Sequence, residues 1–342
     1  MIEALTYDDL LLVPQYSDIL SRSEVSTSSV LDEKLGLILD LPIITSPMDT
    51  ITGVEMAVSI AKLGGLGIIH RYNTVGDQAH IAKHVIDTVG QKNVGFAIGV
   101  TGDYRSRAES LVSAGAIILC LDIAHGDHAH MREALKCLRS DYGDGVHLMA
   151  GNVATLSGFD NLAIWGAGSI RGGIGGGSIC STRIQTGHGV PSLMTVFECA
   201  RSEHGAKLIA DGGIKTPGDI VKALAAGADF VMLGSMLSGT DETPGEIIID
   251  SHGNERKTYR GMASKDAQIA WRGRASSLEG ISTTVRCKGP LADVISNIEN
   301  GIRSGMSYSG SRNLTELRAK AQWCRQTNAG KQESDTHILT RG

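Results

Sequence analysis

A chain of 342 residues, 42% hydrophobic and 20% charged, has the apolar content for a substantial buried core. Against 37 acidic side chains stand 32 Lys and Arg, a net charge of −5 with no basic block, so nucleic acid is not an expected partner. No apolar run approaches the ~20 residues that cross a bilayer, and no N-terminal stretch joins a basic start to a long apolar core; no membrane partner and a cytoplasmic location are expected. The 6 cysteines, without close CxxC pairs, read neither as a disulfide framework nor as a zinc site. Cys120, Cys137 and Cys199 fall within apolar patterns, where a packed free thiol is ordinary.

In chain order, β-type runs recur at residues 42–46 (PIITS), 65–69 (GLGII), 94–99 (VGFAIG), 117–122 (IILCLD), 146–150 (VHLMA), 169–173 (SIRGG), 207–211 (KLIAD) and 230–234 (FVMLG). Segments between them, such as 53–64, 103–116 and 216–228, carry apolar residues at i, i+3 and i+4 spacing and often close on glycine, as helices do. Eight strand–helix units in unbroken sequence predict parallel pairing and an α/β fold, a (β/α)8 TIM barrel forming one domain over 1–342. An open doubly wound sheet is the alternative. Residues 241–290, richer in Gly, Ser and charge, are expected to make a flap excursion over the barrel mouth. A helical pattern covers 315–326 (TELRAKAQWCRQ), and 326–342 is a polar C-terminal tail, expected to lack order unless a neighbouring subunit captures it.

A barrel places chemistry in the loops at the carboxyl ends of its strands, and these ends are all polar, glycine-rich or both. After strands seven and eight, Asp211-Gly212-Gly213 and Gly234-Ser235 occupy positions where such barrels commonly hold a phosphate on exposed backbone N–H groups. Asp211 can accept hydrogen bonds from ribose hydroxyls, so the pair suggests a nucleotide monophosphate; a plain tight turn is the bland alternative. In 173–189 (GIGGGSICSTRIQTGHG) a cysteine stands in a run of glycines, which is costly unless the backbone must pass close to a ligand. Cys180 is the candidate nucleophile, with the N–H groups of its loop and Arg183 as sources of positive field and with Thr182 and Glu279 as candidates to relay protons. His125, Asp127, His128 and His130 offer imidazoles for a metal, but their spacing matches no defined zinc pattern and a capped helix start reads equally well.

The loop GIGGGSICSTR resembles the active-site loop of the IMP dehydrogenase and GMP reductase family, usually close to GxGPGS(I/V)CTTR. Further matches fall in the family's order: LTYDDLLLVPQYS (5–17), SPMDT (46–50), GGLGIIHR (64–71), DIAHG (122–126), AGNVAT (150–155), residues 211–237, YRGMAS (259–264), EGI (279–281) and KG (288–289). The resemblance implies a covalent adduct between Cys180 and C2 of a purine, with hydride passing between C2 and NADPH or NAD(H). It implies that Ser178, Gly213, Gly234, Ser235 and Tyr259 hold the phosphate, with Gly212 also at the substrate, Asp211 on the ribose, Ser46 and Met48 flanking the base, and Gly261 and Met262 at its edge. Asp122 and Asn152 would face the nicotinamide. Backbone carbonyls of Gly175, Gly177 and Cys180 would bind potassium, with Glu333 completing the site from a neighbouring subunit of a homotetramer.

Between the family's two reactions the residues divide. Residues 263–278 contain no Arg-Tyr pair of the kind that activates water in the dehydrogenases, and RASSLEG is close to the reductase wording RASEG. No regulatory insert follows the second barrel unit. These features favour GMP reductase. DIAHG, the GVP after the loop and QES in the tail lean towards IMP dehydrogenase, with Arg272 or Arg274 as a base for water. Gly176, Ser181, Arg171, Gln185 and Arg71 depart from the family's usual residues, which keeps a deoxy or modified purine nucleotide open as substrate. A barrel that binds nucleotide without turnover and a metal-dependent hydrolase are the remaining alternatives.

Overall fold

The computed structural model describes residues 3–276 and 278–334. Eight parallel strands close into a barrel in sequence order: β1 (Ile43–Thr45), β2 (Leu66–Ile69), β3 (Val94–Ile98), β4 (Ile118–Asp122), β5 (His147–Val153), β6 (Ser169–Gly172), β7 (Lys207–Asp211) and β8 (Phe230–Leu233), which pairs back onto β1. The expected (β/α)8 barrel is therefore the fold. β5 runs further than its apolar pattern suggested, through Val153, which carries Asn152 on a strand end rather than in a loop.

The helices start where short polar side chains satisfy the first free N–H groups. Thr74 and Thr155 accept from Asp77 N and Gly158 N, and Thr216 forms a capping box with Asp219 behind Pro217. The strands alternate strictly between two apolar environments. Ile44, Ile68, Cys120, Met149, Ile209 and Phe230 point inward, while Ile43, Ile69, Leu119, Leu148, Ala210 and Val231 pack outward against the helices. The barrel floor is plugged by an antiparallel hairpin, Ser29–Asp32 with Leu37–Leu39, whose Leu31, Leu37 and Leu39 join the inner cluster. His147, fully buried at the start of β5, links this hairpin to the barrel: Nδ1 meets Asp32 Oδ2 at 2.9 Å and Nε2 meets Ser169 Oγ at 2.8 Å.

Within 241–290 lie strands Ile248–Ile249, Glu255–Arg260 and Ser282–Arg286 of one antiparallel sheet and, between the last two, helix Lys265–Arg272. The chain then returns to Leu291–Tyr308, the long helix that packs against Pro217–Ala225. The helical pattern over 315–326 is realised only as Leu314–Lys320. Trp323–Arg325 is instead a strand, antiparallel to Leu10–Leu12, and Trp323 packs edge-on to Phe197 at 5.1 Å. The start of the polar tail is also ordered, by its own chain: Asn328–Ser334 is helical, Lys331 Nζ reaches Asp8 at 2.8 Å, and Gln326 donates to Asp8 O at 2.7 Å. Residues 335–342 of that tail lie outside the described residues. No helix among the described residues is long and apolar enough to cross a membrane.

Candidate active site

Strand parity decides which side chains reach the mouth from inside. In β4 the inward series runs Ile118, Cys120, Asp122; in β7 it runs Ile209, Asp211; in β6 it runs Ser169, Arg171. Three ionisable groups thus meet in the top layer of the barrel. The Arg171 guanidinium donates to Asp211 Oδ2 through Nε (3.0 Å) and Nη2 (2.8 Å), and to Asp122 Oδ1 through Nη1. Its side chain is only 8% exposed. Burial alone would favour its neutral form, but the carboxylates of Asp211 and Asp122 outweigh that and hold its pKa well above the ordinary value. Asn152 Nδ2 adds a third donor to Asp211 Oδ2 at 2.8 Å, leaving Oδ1 as the oxygen free of protein donors among the described residues.

Above this layer the loop after β6 brings Cys180 to the mouth. Gly173 has φ +149, and a Cβ there would lie 1.9 Å from the carbonyl oxygen of Asp211, so only glycine lets β6 turn away so close to β7. At Gly176, where the family's loop usually has proline, an added Cβ would stand 2.1 Å from Ser192 Oγ; the serine occupies the room a ring would need. The loop is zipped to the returning flap, because Ser181 N donates to Glu279 O and Ile281 N to Ile179 O, both at 3.0 Å. This places Glu279 beside Thr182, although the two stand 97 positions apart in the chain. Cys180 Sγ donates to Thr182 Oγ1 at 3.1 Å, and Thr182 Oγ1 donates to Glu279 Oε2 at 2.9 Å. Burial pushes the thiols of Cys120 and Cys199 up to about 12, so they stay protonated.

All catalytic, substrate-binding and cofactor-binding candidates, with the loop positions Gly175, Gly177 and Cys180, line one cavity of about 450 Å³. Its walls meet closely at Gly234, where a Cβ would find Ser46 Oγ at 3.3 Å, Tyr259 Oη at 3.4 Å and Met48 Sδ at 3.5 Å. Burial raises the Tyr259 pKa, and its hydroxyl meets Ser178 Oγ at 3.2 Å. Glu333 is not brought to the cavity; it is exposed on the helix Asn328–Ser334. Arg183 does not face the thiol but spans its own loop, donating to Val190 O at 2.6 Å. In the histidine cluster, His128 caps helix Ala129–Tyr142 by accepting from His130 N and Asp127 accepts from Asn161, while no His/Cys/Asp/Glu grouping suited to a metal occurs among the described residues.

A contact not evident in the sequence docks the flap helix beside the cavity. Tyr72 stacks on Trp271 of the flap helix (4.3 Å, 10°) and its hydroxyl donates to Met262 O at 2.6 Å, so the helix is docked onto the loop after β2. Arg71 and Arg272 flank that stack and line the cavity. The sequence signal for this docking is weak, a single Trp271 in the short amphipathic stretch KDAQIAWR.

A barrel with a thiol, a hydroxyl–carboxylate relay and glycine turns at its carboxyl mouth is the architecture of an α/β-barrel enzyme. The family model of the IMP dehydrogenase / GMP reductase domain matches residues 4–337. An inosine-5'-monophosphate dehydrogenase of Nitrosopumilus maritimus is 31% identical over 98% of both chains, and a GMP reductase of Leishmania major is 31% identical over 99% of this chain and 98% of its own. A crystal structure of a cysteine-to-alanine variant of GMP reductase from Trypanosoma brucei, in complex with guanosine 5'-monophosphate, superposes with a TM-score of 0.92, at 30% identity and 98% coverage of each chain. The chain belongs to the IMP dehydrogenase / GMP reductase family, oxidoreductases of purine nucleotides that use NAD(P)H. Both activities occur among relatives of equal similarity.

Proposed function

We propose that this protein is a GMP reductase, converting GMP to IMP and ammonia at the expense of a reduced nicotinamide cofactor. The observation that carries the reading is the continuous relay from Cys180 Sγ through Thr182 Oγ1 to Glu279 Oε2, at 3.1 and 2.9 Å. The thiol proton passes through Thr182 to Glu279 as sulfur adds to purine C2. The same relay returns a proton to the 2-amino group, which leaves as ammonia with the Cys180–C2 bond kept. A reduced nicotinamide held on the Asp122 and Asn152 side of the cavity would supply the hydride that C2 requires, and Cys180 would then serve as the leaving group, as a thiolate, that frees IMP.

The cavity residues divide naturally around such a substrate. Phosphate sits against Ser178, Gly212, Gly213, Gly234, Ser235 and Tyr259, ribose hydroxyls bond the free oxygen of Asp211, and the base lies between Met48 with Ser46 and the Gly261-Met262 edge. The nicotinamide end fits the side of Asp122 and Asn152, where Arg71 Nε is buried without a hydrogen-bond partner among the described residues, 3.9 Å from Asp122 Oδ2. For potassium, the loop offers the carbonyls of Gly175, Gly177 and Cys180, the last two at the ends of a turn closed by Cys180 N donating to Gly177 O at 3.1 Å; Glu333 would join them only in a homotetramer.

A second reading, IMP dehydrogenase, is favoured by one observation: Arg272, on the flap helix, lines the cavity and offers a base for water. The test follows the absorbance of reduced nicotinamide with GMP plus NADPH or NADH, and with IMP plus NAD in potassium and in sodium buffers. Loss of absorbance with release of ammonia supports the reductase. A gain with IMP makes it a dehydrogenase, and silence in both, followed by turnover of dGMP or dIMP, makes it an enzyme of modified nucleotides.

A further inference from the structure

We propose that Lys288 is a positioning residue for the substrate phosphate, acting through the Ser235–Met236 peptide rather than by touching the ligand. The inference rests on the nucleotide reading above. Lys288 Nζ donates to the carbonyl oxygens of Ser235 and Met236, each at 2.9 Å. Lys288 does not line the cavity, whereas Gly234 and Ser235 do, so the ammonium stands behind the turn that follows β8. In a trans peptide the N–H points opposite to the C=O. Holding the Ser235 carbonyl back therefore turns the Met236 N–H away from Lys288.

Hydrogen bonds within the turn leave these groups available. Leu237 N and Ser238 N both donate to Gly234 O at 3.0 Å, while the N–H groups of Ser235 and Met236 donate to no protein acceptor among the described residues. Among the described residues no lysine lines the cavity, and the arginines that do stand elsewhere: Arg171 with Asp122 and Asp211, Arg71 beside Asp122, and Arg272 over Trp271. A dianion at this end is held by N–H and hydroxyl groups alone. An ammonium on the far oxygen polarises the peptide and strengthens the N–H as a donor.

The geometry is set firmly by the flap sheet. Lys288 N donates to Gly239 O at 2.8 Å and Asp241 N to Gly289 O at 3.0 Å, and a Cβ on Gly239 would lie 2.3 Å from Arg286 O. A buried lysine of the sheet, Lys257, caps the carbonyls of Thr240, Asp241 and Thr243 at 3.2, 2.9 and 2.8 Å. Lys257 steadies the distal half of the segment, and Lys288 the half that meets the ligand.

The experiment compares the full chain with Lys288→Gln, Lys288→Met and Lys288→Arg. It records kcat and KM for GMP and the inhibition constant of guanosine, which lacks the phosphate. Glutamine can still donate to a carbonyl, so this variant keeps the fold while removing the charge. The expected result is a KM for GMP about tenfold higher in Lys288→Gln, the size of one lost charge-assisted hydrogen bond, with kcat and guanosine inhibition unchanged and Lys288→Arg close to the parent. Equal weakening of GMP and guanosine, an unchanged KM, or a fall in kcat alone overturns the proposal. If the parent protein neither binds nor turns over GMP, the nucleotide reading fails instead; if the parent binds GMP and Lys288→Gln binds it equally well, only the role of Lys288 fails.

Discussion

Replacing Arg171 by leucine removes one guanidinium and leaves two carboxylates poorly compensated, Asp122 with Arg71 at 3.9 Å and Asp211 with the Asn152 amide at 2.8 Å. Asp122 and Asp211 have side chains only 18% and 16% exposed, and Arg171 supplies two of the three hydrogen bonds to Asp211 Oδ2. Breaking a buried ion pair by deleting one partner costs about 3–5 kcal/mol, against a whole-domain stability of about 5–15 kcal/mol. Arg171→Leu is therefore expected to lose about 3–5 kcal/mol in urea unfolding followed by tryptophan fluorescence at pH 8. These carboxyls should titrate at raised values in the folded variant. A raised folded pKa gives stability that is present at low pH and lost as pH rises through that value, so the deficit should shrink between pH 8 and pH 5. Arg171→Lys keeps the charge but not the two-pronged contact with Asp211 and should fall between, losing about 1.5–3 kcal/mol. A deficit below about 1 kcal/mol for Arg171→Leu, or one identical at both pH values, would refute the reasoning.

Cys180→Ala should lose turnover by several orders of magnitude while its circular dichroism and unfolding midpoint stay at parental values; retained activity would remove the covalent mechanism. Thr182→Val or Glu279→Gln, which break the relay without touching the thiol, should each lower kcat by about 10²–10⁴-fold with GMP affinity kept. Gly173→Ala must displace the β7 end, since its Cβ would lie 1.9 Å from Asp211 O, and thermal unfolding should show a loss of at least the about 1–3 kcal/mol typical of overpacking. The hydrogen bond from His147 holds the Asp32 carboxyl below its ordinary value of 3.8. A lowered folded pKa gives stability present above the ordinary value and lost as pH falls through the lowered one. Unfolding curves of the parent and Asp32→Asn should therefore differ at pH 6 and draw together as pH falls below the ordinary value of 3.8.

Much of the fold was legible because it rests on local periodicity. Runs such as FVML in β8 carry two apolar faces at period 2, and the Thr-Pro-Gly-Asp start of Pro217–Ala225 announces its own cap. Trp323–Arg325 was misread as helix because its strand partner, Leu10–Leu12, lies at the other end of the chain. No local propensity reports a pairing made at that separation.

The same division runs through the candidate site. Cys180 and Asp211 stand out in the sequence because the glycines around them are costly unless the backbone must turn tightly or approach a ligand. From sequence alone the order of strands and helices, the barrel they close and the rim on which polar loops gather were determined, since each follows from spacing along the chain. Only the tertiary structure showed that Thr182 meets Glu279, that Arg171 binds Asp122 and Asp211 at once, that Trp271 stacks on Tyr72, and that Lys288 stands behind Ser235. These contacts join residues far apart in the chain, and their strength depends on distances of a few ångströms and on exclusion of water, neither of which is a property of sequence.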